Sequence, residues 1–143
     1  MVEFAIVLPV LLLIIVGILS FGRYMNYASQ QTQTAASAVR WAAVDVPPFW
    51  TPSSLTLQQY VATLVTAESP ATVYLYYPTG SSNTVGSSVR ACVVSTISLL
   101  PVLGTGRTSI QIVESATMRI EQLQTSATWS PATPPTGSPC PLA

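Results

Sequence analysis

Side chains able to do acid–base, nucleophilic or metal-binding chemistry are few in this 143-residue chain. It contains no histidine and no lysine, which removes the commonest general base, the commonest metal ligand and any Schiff-base amine. The five acidic residues are dispersed: Glu3, Asp45, Glu68, Glu114 and Glu121. No GxSxG nucleophile elbow, GxxxxGK phosphate loop or DxDxDG calcium loop occurs. We therefore predict that the protein is not an enzyme and that it holds no metal ion or cofactor.

The two cysteines, Cys92 and Cys140, form neither a CxxC redox motif nor a zinc-ligand set. If the domain lies outside the cytoplasm, a disulfide between them would tie the C-terminal segment to a strand. The alternative is a pair of free thiols. Both hypotheses stay open at the level of the sequence.

Charge is scarce and balanced. Charged residues make up 7% of the chain, against about 25% in typical soluble proteins, and the formal net charge is zero. The five basic residues are all arginines and are scattered, so we expect no nucleic-acid partner. A surface built mainly from Ser, Thr, Gln and Pro suits a chain that packs against copies of itself or carries glycans.

The element that must position any functional group is the N-terminal apolar stretch. From Phe4 to Phe21 no side chain is charged and only Ser20 is polar. As a helix, this stretch would be roughly 27 Å long, close to the thickness of a bilayer core. Glu3 stands at its edge and must be hydrated, paired or near the membrane surface, because an unpaired buried carboxylate is unfavourable.

Other residues of the stretch bear on how it packs. Pro9 lacks a backbone donor and should kink or loosen the helix near its start, and in a bundle a neighbouring subunit can cover the freed carbonyl. Gly17 and Gly22 let neighbouring helices approach closely, although their spacing is not that of a GxxxG motif. The candidate assembly residues are Met1, Glu3, Phe4, Pro9, Gly17 and Gly22. A plain single-pass membrane anchor is the alternative interpretation.

Two segments together resemble a known family. The run VEFAIVLPVLLLIIVGILSFGR looks like the N-terminus of TadE-like proteins, the pseudopilins of bacterial tight-adherence (Flp-type, type IV pilus-related) systems. The later run ISLLPVLGTGRTSIQIVESATMRIE is similar to the last strand pair of that family, where a Leu/Pro/Gly linker leads into a strand ending in SATMR. One departure is the acid: it is the fifth mature residue in pilins generally, and here it is Glu3.

The resemblance implies a pilin-like role. A prepilin peptidase would cut a precursor after a short basic leader, and a pilus assembly platform would move the mature helix from the cytoplasmic membrane into a filament on the cell surface. Glu3 could neutralise the α-amino group of Met1 on an adjacent subunit during this transfer. The partners implied are therefore copies of the chain itself, the peptidase, the platform and, before assembly, the membrane.

The first helix is predicted to continue to about Val44, where Pro47 and Pro48 prevent it from going on. In its second half, small or apolar residues recur at helical spacing and should face another element. They are Phe21, Ala28, Thr32, Ala35, Val39 and Ala42. The opposite surface should carry Asn26, Ser29, Gln30, Gln33, Ser37 and Arg40.

A short second helix is predicted after an N-cap at Ser54. Its apolar face would consist of Leu57, Tyr60, Val61, Leu64 and Val65, and the helix would close at 68–70. Three segments with strand-like alternation follow, at 71–77, 89–99 and 109–120. They predict a three-stranded antiparallel sheet with one face under the helices. Glu114 interrupts the alternation of the last strand, either where the sheet emerges from cover or opposite an arginine.

The chain is thus predicted to be an α+β protein with three parts. Residues 1–22 form the transmembrane or filament-core half of the first helix, 23–129 the pilin-like domain, and 130–143 a Pro/Ser/Thr-rich tail. The tail should be extended rather than packed, and it is a candidate for O-linked glycans.

Two functions remain open. The first is a structural subunit of an extracellular pilus-like filament. The second is a minor pseudopilin or a membrane-anchored binding module that does not form the bulk of a fibre. In the second, an aromatic group would contact a partner: Phe49, Trp50, Tyr74, Tyr76 and Tyr77.

Overall fold

The computed structural model describes residues 2–46, 48, 55–65, 70–98, 109–125, 129–135 and 137–140, and within the first range the side chains of residues 2, 3 and 5 are not described. Two helices precede three strands. They are α1 (Val2–Val44), α2 (Leu57–Leu64), β1 (Thr72–Tyr76), β2 (Ser88–Ser98) and β3 (Ser109–Arg119). This order confirms the predicted α+β class with a long first helix, a short second helix and a three-stranded antiparallel sheet.

Helix α1 has 43 residues, so it is about 65 Å long at the standard rise. It ends at Val44, as predicted. Asp45 adopts the left-handed conformation (φ 51°), which stops the helix. The carbonyl of Ala43 accepts hydrogen bonds from the backbone N–H groups of Glu121 and Gln122 at 2.9 and 3.2 Å, so the segment after β3 satisfies part of the helix C-terminus.

Only the C-terminal half of α1 packs against the domain. Its buried residues are Gln31, Ala35, Ala38, Val39, Ala42 and Ala43. The predicted stripe was therefore wrong at two positions, because Phe21 and Thr32 are exposed. Phe21 lies before the point where the helix meets the sheet, and the Thr32 hydroxyl donates to the carbonyl of Ala28 on its own helix at 2.9 Å. The opposite surface is as predicted, with Ser37 half-buried and the other five residues exposed.

Helix α2 is fixed by a capping box. The Thr56 hydroxyl accepts from the backbone N–H of Gln59, and the Gln59 side chain accepts from the backbone N–H of Thr56. The cap is thus Thr56 rather than the predicted Ser54, which lies outside the described residues, because only Thr56 has a glutamine at the third helical position. The helix ends at Leu64, earlier than predicted, with Val65 already extended.

The face of α2 that packs inward carries Leu57, Tyr60 and Val61. Leu64, predicted to belong to this face, is exposed instead. The ring of Tyr60 contacts that of Trp41 on α1, with centroids 6.2 Å apart. This contact joins the two helices above the sheet.

The sheet has the order β1-β2-β3 with antiparallel neighbours throughout. The pairing of β2 with β3 is one-to-one over all of both strands, from Ser88↔Arg119 to Ser98↔Ser109, so it contains no bulge. The core under the helices consists of Val73, Leu75, Val89, Ala91 and Val93 from the sheet, packed against α1 and α2. Burial of this face agrees with the period-two alternation of the sequence.

The outer face of the sheet is covered in part by the C-terminal tail. Cys92 and Cys140 form a disulfide with a Cα–Cα distance of 6.1 Å, and Tyr76 packs beside it. The described tail residues contain no helix or strand, but Pro134 and Cys140 are buried. Pro134 and Cys140 therefore contact the domain, and the extended course of the tail as a whole stays a prediction.

Strand β3 runs in the same direction as α1. Gln31 donates from Nε2 to the hydroxyl of Ser95, which is paired with Ile112, whereas Ala43 at the end of α1 contacts the backbone just after β3. We call the end of the domain near Gln31 the base and the end near Ala43 the apex.

Candidate assembly surface

The N-terminal half of α1 projects from the domain as a bare apolar helix. None of its most apolar 18-residue stretch is buried inside the chain, and Phe4 is 70% exposed. Among the described residues, α1 alone is long and apolar enough to cross a membrane. So large an apolar surface needs lipid or other protein around it.

The predicted assembly residues lie along this helix, except at its start. Met1 lies outside the described residues, and Glu3 belongs to α1 but its side chain is not described. The helix continues through Pro9, whose ring nitrogen has no proton to donate to the carbonyl four residues earlier. The predicted disturbance at Pro9 does not break the helix.

Gly17 and Gly22 face open space. A Cβ atom built at either position would meet nothing within 4 Å. Neither glycine is needed for packing within the chain, so a neighbouring helix could approach the backbone of α1 closely at both.

The apolar half of α1 is followed by a cluster of basic and aromatic residues that the sequence analysis missed. Arg23 comes two residues after Phe21, and Tyr24 and Tyr27, both half-buried, follow it. Tyrosine and arginine side chains are typical of the membrane–water interface, where an apolar body and a polar tip are both satisfied. The signal was present in the sequence as an aromatic and basic cluster directly after an apolar run.

The acidic residues whose side chains the structure describes, Asp45, Glu114 and Glu121, do not converge on a site. Glu114 is half-buried and lies opposite Val93 on the helix-facing side of the sheet, so the arginine predicted opposite it is not there. Arg90 lies opposite Thr117 and donates from Nε to its hydroxyl at 2.9 Å. Within the described part of the chain, no group of three Cys, Asp or Glu side chains is placed to hold a metal ion.

Of the aromatic residues predicted for a partner-binding surface, the structure describes Tyr74, Tyr76 and Tyr77, and these three do not form one exposed surface. Tyr76 is buried beside the disulfide, and Tyr77 packs on Trp129 with ring centroids 5.8 Å apart. Tyr74 is half-buried, and Phe49 and Trp50 lie outside the described residues.

A cleft of about 330 Å³ lies between α1 and α2. It is lined by the uncharged residues Gln30, Gln33, Thr34, Ser37, Trp41 and Leu64. Its hydroxyls, amides and indole ring can contact a neutral partner, but they offer no acid–base pair for catalysis.

One buried polar contact at the base was not predicted. The Gln31 side chain is almost completely buried between α1 and the sheet, where Nε2 donates to Ser95 and Oε1 accepts no hydrogen bond. The sequence analysis assigned Gln31 to neither face of α1. Only the position of the sheet under α1 buries it.

A second polar cluster at the apex is organised by Gln124. Its Oε1 accepts from the Tyr77 hydroxyl at 2.8 Å, and its backbone exchanges two hydrogen bonds with the Asn83 side chain at 2.9 and 3.1 Å. The backbone N–H of Thr125 donates to the Asp45 carboxylate at 2.8 Å. Burial, and then the negative charge of Asp45, raise the pKa of the Tyr77 hydroxyl above its ordinary value of 10.0.

Comparison with known proteins gives one match. Residues 1–40 match the model of the family described as TadE-like protein. This confirms the resemblance seen in the N-terminal run, whereas the second similar run, ISLLPVLGTGRTSIQIVESATMRIE, lies outside the matched residues. No curated protein and no solved structure matches the chain.

Proposed function

We propose that this chain, which is TadE-like over residues 1–40, is a structural subunit of an extracellular pilus-like filament and assembles through the apolar half of α1. The family match indicates a pseudopilin-type component of a tight-adherence pilus rather than an enzyme. The finer role of filament subunit rests on the shape of the molecule.

The observation that carries the proposal is the contrast between the two halves of α1. The C-terminal half buries one face on its own domain, whereas the most apolar stretch of the N-terminal half buries nothing. Lipid covers such a helix before assembly, and identical helices of neighbouring subunits can cover it afterwards. The domain would then form the outer shell around a core of helices.

Transfer from lipid to a helix bundle gains little from the hydrophobic effect, because both environments are apolar. Packing and charge must therefore steer it. Gly17 and Gly22 permit close approach, a neighbour can cover the carbonyl freed by Pro9, and Glu3 would pair with the α-amino group of Met1 on an adjacent copy. Prepilin peptidase and the assembly platform would be partners in this process, and the exposed parts of the tail would be the place for O-linked glycans.

A second candidate is a minor pseudopilin or a membrane-anchored binding module. The uncharged cleft between α1 and α2 favours it, because the cleft offers hydrogen-bonding side chains and an indole ring to a partner. Abundance separates the two candidates. A filament subunit is the main protein of sheared fibres, whereas a minor component is found in the membrane fraction and only in traces in fibres.

The test compares Glu3→Ala and Glu3→Asp with the wild-type chain in cells that express it and carry surface fibres. We expect Glu3→Ala to lower the fibre yield, because the charge partner of the incoming subunit is lost, and Glu3→Asp to retain much of it. The amount of chain in the membrane fraction should not change in either variant. Fibre yield is measured by electron microscopy and gel densitometry of sheared material. An unchanged yield in Glu3→Ala would remove Glu3 from the mechanism, and a wild-type chain absent from the fibres would overturn the filament proposal.

A further inference from the structure

Exposed apolar side chains on the domain are concentrated at its two ends. At the apex, Val46, Val85 and Leu123 are between 49% and 63% exposed. Three hydrogen bonds draw their segments together: Thr125 N–H to Asp45 at 2.8 Å, Gln124 N–H to Asn83 at 2.9 Å, and Gly86 N–H to the Ile120 carbonyl at 2.9 Å. We call these three residues the apical patch.

A matching group lies at the base. Phe21, Met25 and Ile110 are between 37% and 64% exposed. Met25 precedes Gln31 on α1, and Ile110 precedes Ile112 on β3, so both lie below the Gln31–Ser95 contact that marks the base. We call these three residues the basal patch. Among the described residues of the domain, two other leucines are exposed: Leu55 lies just before α2 and Leu64 is its last residue.

The two ends also differ in charge. Arg23 lies between Phe21 and Met25 and is exposed, whereas Glu121 lies close to Leu123 and is exposed. Three described arginines lie toward the apex: Arg40 is exposed on α1 one turn before Ala43, and Arg90 and Arg119 belong to the outer face of the sheet, as shown by their partners Thr117 and Ser88. A basic group therefore accompanies the basal patch and an acidic group the apical patch.

We propose that the apical patch of one copy docks on the basal patch of another copy, with Glu121 of the first near Arg23 of the second. This proposal rests on the self-assembly proposed above and adds a contact between domains to the contact between helices. Patches at opposite ends make a head-to-tail contact, which continues into an open polymer instead of closing as a dimer. A base-to-base contact would bring the Arg23 side chains of two copies close together, and the repulsion between these like charges opposes such a contact.

The length of the domain fits such stacking. From Met25 to Val44, α1 rises about 28 Å. A copy displaced along the fibre axis by about this length would place its base on the apex of the copy below. The free apolar half of α1 points away from the base, so it can remain in the core while the domains touch.

Cross-linking in intact cells tests the contact. The double variant Ile110→Cys/Leu123→Cys is treated with a short bis-maleimide, which spares the native disulfide. We expect a ladder of dimers, trimers and longer species, because each copy carries one thiol at each end. The single variants should give no ladder. Ala36→Cys/Leu123→Cys is the matched control, because Ala36 is exposed on α1 between the two ends of the domain, and it should give no ladder either.

Several other results would contradict the docking. Dimers from Ile110→Cys alone would show a base-to-base contact, and an equal ladder from the control pair would show unspecific proximity. Fibres without a ladder would overturn the docking and leave the proposed function standing. A ladder without fibres would overturn the proposed function and leave the docking standing. If neither a ladder nor fibres formed, the docking and the proposed function would both be overturned.

Charge reversal supplies an independent measurement. Arg23→Glu and Glu121→Arg should each lower the ladder yield by about two- to fivefold, the range typical of exposed ion pairs, and the double reversal should restore it. Arg40→Glu is the control, because Arg40 is exposed near the apical end of α1, far from the basal patch, and adding Glu121→Arg should not rescue it. A double reversal no better than the single variants would contradict the pairing of these two ends.

Discussion

Removing the disulfide should release the C-terminal tail and destabilise the domain strongly. In the variant Cys92→Ala/Cys140→Ala, the covalent link that closes a loop of 48 residues is lost. For a loop of 48 residues, the chain-entropy relation gives about 14 cal/mol/K, or about 4 kcal/mol at 25 °C. Apart from the disulfide, the described contacts of the tail with the sheet and α2 are few. The backbone N–H of Ala132 donates to the Leu75 carbonyl at 2.8 Å, and Gln58 donates to the Ser130 carbonyl at 2.6 Å.

The assay is urea unfolding of the full chain in detergent micelles. Tryptophan fluorescence reports the transition, because Trp129 is buried next to the tail. With an m-value of about 1.5 kcal/mol/M, a loss of about 4 kcal/mol would lower the midpoint by roughly 2.7 M. Mild proteolysis should cleave the tail of the variant faster than that of the wild type.

Reduced wild-type protein is the control, because it loses the link but keeps both sulfur atoms. We expect it to be destabilised nearly as much as the double variant. The difference between the two then measures the packing of the sulfur atoms beside Tyr76. A destabilisation below about 1 kcal/mol in both would refute the entropic argument and show that other contacts hold the tail.

Two further stability predictions concern polar groups. Ser95→Ala should destabilise the chain by about 1–3 kcal/mol, because it leaves the Gln31 amide buried without a partner. The double variant Gln31→Leu/Ser95→Ala should be nearly neutral, because both polar groups are then removed. Equal melting temperatures for Ser95→Ala and wild type in thermal scans would contradict this prediction. Burial followed by the charge of Asp45 raises the folded pKa of Tyr77 above its unfolded value, so its contribution is fully present below the unfolded pKa and is lost as pH rises through the folded one. Tyr77→Phe should therefore remove part of the loss of stability that sets in as the pH rises above the unfolded pKa of about 10. At pH 8 it should lower stability by about 1 kcal/mol, because its hydrogen bond to Gln124 is lost. Identical pH profiles of the variant and the wild type in urea titrations would refute the role of Tyr77.

Much of the fold follows from short-range patterns in the sequence. The end of α1 at Val44 was predictable because prolines follow within a few residues, and the three strands were predictable within one residue at their ends because β-branched and aromatic residues alternate between turns. The apolar run from Phe4 to Phe21 was also enough to identify the candidate assembly surface. Its side chains are almost all apolar, so the helix must be covered by lipid or protein, and its first residues carry the family resemblance.

What the sequence could not decide is which surfaces meet across long separations. Only tertiary packing buries Gln31 under α1, because the sheet meets the helix at that residue and not at Phe21. It also buries Tyr76, because the disulfide brings the tail onto the face of the sheet opposite the helices. Local periodicity reports which residues share a face, whereas the partner of each face is fixed by loop closure and packing between distant segments. The sequence therefore determined the elements and the bare helix, and the tertiary structure decided where the helix leaves the domain and what the two ends of the domain expose.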